Sequence, residues 1–267
     1  ALPIGNGRLG AMVYGNPKNE KIQLNDDSLW PKDMGWQHPK GTSDDLKKIR
    51  EMLFNYENQK VDSILVKKFS NKTIVRSHQT LGDLLINFDH NKITEYRRFL
   101  NLNKAITQVQ YKTNGYPVFQ KVFISAKDQA IVYLIKSDHP KGLNGSIKLG
   151  RRNDEGFPTA RSSVKDGLLI MNGEVTQRKG KFDSKPAPIT KGIQFETKLK
   201  AENFGGTLKA KGDSISFKGV KELKLYIVSN SSYYHNSYQI QNIKQLKNLE
   251  DYSFNELEQR HVRDHQS

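Results

Sequence analysis

The ten residues GIQFETKLKA, Gly192 to Ala201, alternate with period two. Ile193, Phe195, Thr197, Leu199 and Ala201 fall on one side, and Gln194, Glu196, Lys198 and Lys200 on the other. Successive side chains of a strand point to opposite faces, so this pattern specifies an antiparallel strand buried on one side, its lysine-bearing side in solvent. The alternation recurs in KIQLN (Lys21 to Asn25), DLLINF (Asp83 to Phe88), AITQVQY (Ala105 to Tyr111), VFQKVFIS (Val118 to Ser125), AIVYLIK (Ala130 to Lys136), LLIMNGEV (Leu168 to Val175) and ELKLYIV (Glu222 to Val228). Turn signals at Asn114-Gly, Asp166-Gly, Asn172-Gly, Gly205-Gly and Lys211-Gly-Asp separate several of them. Many strands with few helices between them give a mainly β fold, a large antiparallel β-sandwich rather than a doubly wound sheet.

Two interruptions read as helices. TSDDLKKIREMLFN (Thr42 to Asn55) opens with a T-x-x-D cap and stripes Leu46, Ile49 and Leu53; ENQKVDSILVKKF (Glu57 to Phe69) stripes Val61, Ile64 and Leu65. Together they predict a helical hairpin inserted in the sandwich and laid against it. A third helical region closes the chain, with Ile243, Leu246 and Leu249 in helical spacing and a Ser253/Glu256 capping box. The expected boundary lies near Tyr238, with the β domain over 1–238 and a helical linker over 239–267. Apolar residues in the last helix are too sparse for a core of its own. It is expected to pack against something that follows, so the chain reads as a fragment.

A chain of 267 residues builds such a core without staples, and with no cysteine it has no disulfide, thiolate zinc site or cysteine nucleophile. No apolar run long enough to span a membrane occurs. The net charge of +15 raises acidic partners as a class, yet the lysines are scattered among apolar residues, with no arginine-rich run or RNP-type motif. A nucleic-acid binder driven by bulk charge is therefore the weakest reading.

GNGRLG, Gly5 to Gly10, matches the G-x-G-x-x-G dinucleotide pattern, but turn residues Gly15, Asn16 and Pro17 and the alternating Ile22 and Leu24 follow it where a helix is required. It reads as a turn, with Asn6 and Arg8 available to hold that turn or an interface. His261 and His265 stand one helical turn apart, without the glutamate of H-E-x-x-H or a third ligand, and read as a solvated helix end. Asn25-Asp-Asp-Ser-Leu-Trp30 admits two readings. Carboxylates beside an exposed indole suit a sugar, whereas the same residues form an ordinary turn with Trp30 in the core. Gln79, Gly82 and Asp83 pose the same choice. N-x-[ST] sites stand at Asn71, Asn144 and Asn230.

ALPIGNGRLGAMVYG and KIQLNDDSLW closely resemble the N-terminal domain of glycoside hydrolase family 95, mainly α-L-fucosidases with some α-L-galactosidases. The likeness continues in order through the helical hairpin, HQTLGDLLINF, YRRFLNLNKAITQVQY (Tyr96 to Tyr111), VFQKVFIS, GIQFETKLKA, ELKLYIVSNSSYY and the closing HVRDHQS. Gly150 to Ile189 fits least. The resemblance implies a supersandwich, a helical linker and then an (α/α)6 barrel that hydrolyses terminal α-L-fucosyl linkages by inversion, one carboxylic acid protonating the leaving oxygen and a carboxylate activating water. Those catalytic residues belong to the barrel, so none is carried onto this sequence, and no cofactor or metal is called for. The implied partners are that catalytic domain and a fucosylated glycan, with an extracytoplasmic location after removal of a signal segment. Asn25, Asp26, Trp30 and Gln79, in the best-matching motifs, are the expected substrate-binding or domain-interface residues. A stand-alone carbohydrate-binding sandwich is the alternative, with Trp36 and Tyr233-Tyr234 as its aromatic platform.

Overall fold

Each of the eight alternating segments lies in a strand of the computed structural model, which describes residues 1–31, 40–70, 76–177, 187–188 (backbone only) and 192–267. Trp36 and Asn71 lie outside the described residues. A seven-stranded sheet runs in the order β1 (Leu2–Gly5), β2 (Leu9–Val13), β3 (Asn19–Asp26), β4 (Gly82–Phe88), β9 (Leu143–Gly150), β16 (Ser214–Val220), β15 (Thr207–Lys211). An eight-stranded sheet runs β10 (Ala160–Lys165), β11 (Leu168–Glu174), β14 (Gln194–Phe204), β17 (Glu222–Ser231), β8 (Ala130–Ser137), β7 (Tyr116–Ser125), β6 (Ile106–Thr113), β5 (Ile93–Asn101). All of these pairings are antiparallel, and β12 (Thr176–Gln177) with β13 (Ala187–Pro188) adds a small ladder.

The main core fills the space between the sheets. It takes Leu9, Ile22, Leu24, Leu84, Ile86, Ile147 and Leu149 from one, and Val109, Val122, Tyr133, Phe195, Leu199, Leu225 and Ile227 from the other. A second core lies on the outer face of the eight-stranded sheet. There Phe123, Ala130, Val132, Leu134 and Val228 meet Leu246 and Leu249 of α3 (Tyr238–Leu249) and Phe254 and Leu257 of α4 (Phe254–His265). This explains AIVYLIK: a strand covered on both faces reads as a near-continuous apolar run.

Three sequence expectations change here. The final helix does not wait for an absent partner, because α4 is seated on the sheet through Phe254 and Leu257; Ile243 of α3 is exposed, unlike Leu246 and Leu249. The polar side of GIQFETKLKA is only partly solvated, with Gln194 exposed and Lys200 half-buried. Glu196 and Lys198 are buried beside α3, where the Lys198 ammonium lies 3.0 Å from the Glu196 carboxylate and Asn242 donates to Glu196 O at 2.8 Å. The helix hides the face that period-two logic assigns to water. Asn172-Gly173 is not a turn but lies inside β11. A Cβ on Gly173 would stand 2.4 Å from the Phe195 ring, so the glycine admits that ring rather than a bend.

The inserted hairpin forms as α1 (Ser43–Phe54) and α2 (Asn58–Lys68), with the Thr42/Asp45 capping box in place. It does not share the sandwich core. Its buried Ile49 and Val61 belong to neither cluster, while Leu46, Leu53, Phe54, Leu65 and Val66 are exposed. Among the described residues no helix is long and apolar enough to cross a membrane.

Candidate functional site

The GNGRLG glycines make a hairpin turn between β1 and β2. Gly7 takes φ +92°, and the Asn6 side-chain oxygen accepts from Arg8 N at 3.1 Å and Leu9 N at 2.7 Å. That is the conformation Gly and Asn supply at little steric cost. The turn aims Arg8 between the two sheets. Its Nη1 lies 2.8 Å from Asp26 Oδ2 and donates to Ser229 O at 2.9 Å, while Nε donates to Gln129 Oε1 at 2.7 Å. Asn6 Nδ2 adds a bond to Ser125 O at 3.0 Å. Asp26, 1% exposed, also accepts from Ser28 N at 3.1 Å and Ser28 Oγ at 2.5 Å; that hydroxyl meets Ser231 Oγ at 2.6 Å. Arg8, paired with Asp26 of its own sheet, thus joins the edge hairpin of the first sheet to β17 and the β7–β8 turn of the second. Burial raises the Asp26 pKa, and the Ser28 hydrogen bonds and the Arg8 guanidinium pull against it.

Gln79 centres a second network. Its backbone N donates to Leu29 O at 2.9 Å, its amide Nε2 donates to Thr176 O at 2.6 Å, and its Oε1 accepts from Thr176 N at 3.1 Å and Arg151 Nη2 at 3.3 Å. Arg151 also holds Thr80 O at 2.8 Å and Glu174 O at 3.0 Å, and its guanidinium sits 5.2 Å from the Phe195 ring centre. Burial brings its pKa down to about 10. Arg76 pairs with Asp154 next to it.

Above the Arg8–Asp26 pair stands a surface of aromatic rings. Trp30 is 50% exposed and meets His78 edge-on at 5.4 Å, and His78 Nε2 donates to Asp26 O at 2.7 Å. Tyr234 donates its hydroxyl to Asp27 Oδ2 at 2.8 Å, and Tyr233 packs edge-to-face on it at 4.9 Å. Burial and the Asp27 carboxylate push the Tyr234 phenol up to about 12.

The four expected residues therefore separate. Asp26 is buried and Gln79 half-buried, and both are engaged in hydrogen bonds within the chain. Trp30 is not core. Asn25, paired opposite Gly10, points to the other face of β3 from Asp26, as strand alternation requires. Sequence reasoning missed Asp27, Ser28, His78, Ser231 and Tyr234 as members of one site. The Asp-Ser after β3 was visible, but nothing local announces a serine 203 positions away. Tyr233 and Tyr234 stand at 84° to one another, so the pair is no flat platform.

His261 is not solvated. It stacks on Phe123 at 4.9 Å and donates to Lys104 O at 2.9 Å. Among the described residues no group of three or more potential ligands could hold a metal ion. Asn230 is buried, its amide nitrogen bonded to Asn242 and Gln245 at 2.8 Å, which leaves no room for a glycan on it in the folded chain.

The fold defines the chain as a large two-sheet antiparallel sandwich domain. It belongs to the family described as "Glycosyl hydrolase family 65, N-terminal domain", whose model matches residues 1–236. The matched family carries the number 65 and the motif resemblance points to 95; both describe a glycoside hydrolase N-terminal domain. Alpha-L-fucosidase 2 of Arabidopsis thaliana is 25% identical over 298 residues, covering 100% of this chain and 34% of that protein. Probable alpha-fucosidase A of Aspergillus niger is 29% identical over 182 residues, covering 65% of this chain and 22% of that protein. The chain thus spans about a third or less of these relatives. Among solved structures, a putative kojibiose phosphorylase from human microbiome aligns with TM-score 0.53 and 10% identity over 98% of this chain and 35% of that one, a likeness of fold.

Proposed function

We propose that this chain is the non-catalytic N-terminal domain of an α-L-fucosidase of the family 95 type, with an (α/α)6 domain after it that cleaves terminal α-L-fucosyl or α-L-galactosyl linkages by inversion. The motif resemblance and the two fucosidase relatives support this reading. So does the chemistry of the motif-bearing end: the buried carboxyl of Asp26 is spent on Arg8 and Ser28, not presented to a substrate. The observation that carries the assignment of a docking face is half-exposed Trp30, with Asp27 and the Tyr233-Tyr234 pair, standing on the Arg8–Asp26 ion pair. Exposed aromatic rings on a rigid base present apolar area at low entropic cost. We assign this end to the catalytic domain, at the aglycone side of its pocket, and place the parent protein outside the cytoplasm.

The test uses the longer protein that contains this sequence. It is expected to release L-fucose from a 4-nitrophenyl α-L-fucoside with β-fucose as the first anomer seen by NMR, while the 267-residue chain alone gives no turnover. Trp30→Ala in the longer protein separates two roles. A docking residue lowers stability first, and a pocket residue changes KM or kcat with the melting temperature intact. Retention of configuration, or absence of fucosidase activity, sinks the assignment.

A further inference from the structure

The outer face of the eight-stranded sheet is only partly covered. α3 lies over β14 and β17 and α4 over β7; among the described residues no helix covers the β10–β11 side, and a groove of about 570 Å³ lies there. Strand register fixes what faces it. Arg161 stands opposite Asn172, and Glu174 opposite Gln194. Asn172 is also opposite Glu196, which lies on the α3-covered face, so Asn172, Glu174 and their partners point outward on that same face. Tyr238, at the start of α3, forms one wall and donates to Gln194 Oε1 at 3.3 Å; Phe157 borders the groove from the β9–β10 connection.

Three of these side chains have nothing to hold. The guanidinium of Arg161, the amide of Asn172 and the carboxylate of Glu174 make no hydrogen bond or ion pair with a described residue, whereas the charged groups of the neighbouring Gln79 network are all engaged. Neighbouring positions on one sheet face stand about 5 Å apart. A fork of donors, a mixed donor and acceptor, and a pure acceptor therefore line up along the groove, a sequence that suits vicinal hydroxyls. Arg161 and Glu174 cancel in charge, which disfavours a phosphate or a polyanion despite the +15 of the chain. The volume falls within the usual range for small-molecule sites, and Phe157 and Tyr238 supply apolar surface for the carbon face of a sugar ring.

We infer that this groove is a binding subsite for a short neutral saccharide, separate from the Trp30 surface. The inference does not depend on which linkage the larger protein cleaves.

The 267-residue chain, isotope-labelled, is titrated with 2′-fucosyllactose, maltotriose and inorganic phosphate. At least one of the two saccharides is expected to bind with a Kd of about 1 mM, shifting the amides of Phe157, Asn172, Gly173 and Glu174, while phosphate leaves them unmoved. Arg161→Ala and Glu174→Gln each remove a charge-assisted bond and are expected to weaken binding about ten-fold. Both positions are solvent-accessible and unpaired among the described residues, so the circular dichroism and melting temperature should match the parent, which separates lost binding from lost fold. Trp30→Ala should bind as the parent does. No shift with either saccharide, unchanged affinity in both groove variants, loss of binding in Trp30→Ala, or phosphate shifts at these amides overturns the inference. Saccharide binding here without hydrolysis by the longer protein breaks the proposed function alone; hydrolysis without binding breaks this inference alone.

Discussion

Two helical pairs flank the sandwich, and they dispose of their apolar residues in opposite ways. α3 and α4 bury Leu246, Leu249, Phe254 and Leu257 on the eight-stranded sheet. α1 and α2 pack on each other and leave Leu46, Leu53 and Leu65 exposed. Both pairs look alike locally, since each has a capping box and an apolar stripe. What differs is the ground opposite. β7, β8 and β17 offer Phe123, Ala130, Val132, Leu134 and Val228 on the outer face of their sheet, whereas the hairpin packs mainly on itself and its buried Ile49 and Val61 join neither core. A cap is a contract among four neighbouring residues; the fate of a stripe depends on strands folded from elsewhere in the chain.

The comparison breaks most visibly in the core. Leu257→Ala empties a fully buried site between α4 and the sheet and should cost about 2–5 kcal/mol of global stability, read as a lower urea midpoint of the whole chain. Ile49→Ala removes the same kind of buried side chain from the hairpin, and the sandwich midpoint should stay within about 0.5 kcal/mol of the parent. Only amide exchange within 43–68 should speed up. An equal fall in midpoint for the two variants would show that the hairpin is coupled to the core after all.

The strands were legible because alternation is written into each of them, and the caps because they are local. The two-sided burial of AIVYLIK was legible as a solid apolar run. Glu196 and Lys198 were misread because a charged pair under a helix has the same pattern as a charged pair in water, and only the docking of Asn242 distinguishes them. The candidate site was half legible. Trp30 and Asp26 stand in a motif that chemistry singles out, but their roles exchange in three dimensions. The carboxylate goes inside to Arg8, and the indole stays out. Ser231 and Tyr234 join them only because one sheet packs on the other, over more than 200 positions of sequence, and no period in the sequence encodes that.

Acid sharpens the contrast, because the two pairs titrate in different windows. Burial lowers the His261 pKa below its ordinary 6.5, against the pull of the Ala105 and Lys104 carbonyls and with the help of His265. The unfolded chain then binds the proton more readily than the folded one. The His261 contribution is complete above 6.5 and is lost as pH falls through the lower folded value. In the hairpin, the Lys68 ammonium and the Thr42 backbone hold Asp45 down at about 2 from 3.8, so its contribution persists until pH falls below 3.8 and toward 2. Glu20, raised by burial to about 7, acts with the opposite sign, its contribution lost as pH rises, and is common to both proteins compared. Urea midpoints of the parent and of His261→Gln, measured between roughly pH 7.5 and 4.5, isolate the histidine. Loss of the Phe123 stack gives an offset at every pH, and the gap should narrow as the solution is acidified. A gap of constant size would mean that His261 docks α4 without titrating.

The smallest effect is the most discriminating, because it applies one chemical change to both pairs. Thr42→Ala and Ser253→Ala each remove a side-chain oxygen that accepts from the backbone N–H three residues on, at 3.3 Å in both cases. Each leaves the returning carboxylate, Asp45 or Glu256, with a backbone donor but no hydroxyl cap. Local helix stability should fall by about 1 kcal/mol in both variants. In Ser253→Ala the loss should reach the global urea midpoint, since α4 unfolds only with the second core beneath it. In Thr42→Ala the midpoint should not move, and the loss should appear only as faster amide exchange in the first turn of α1. Two equal midpoint shifts would mean that the hairpin and the C-terminal helices belong to one cooperative unit, and that exposed Leu46 and Leu53 are tolerated within it.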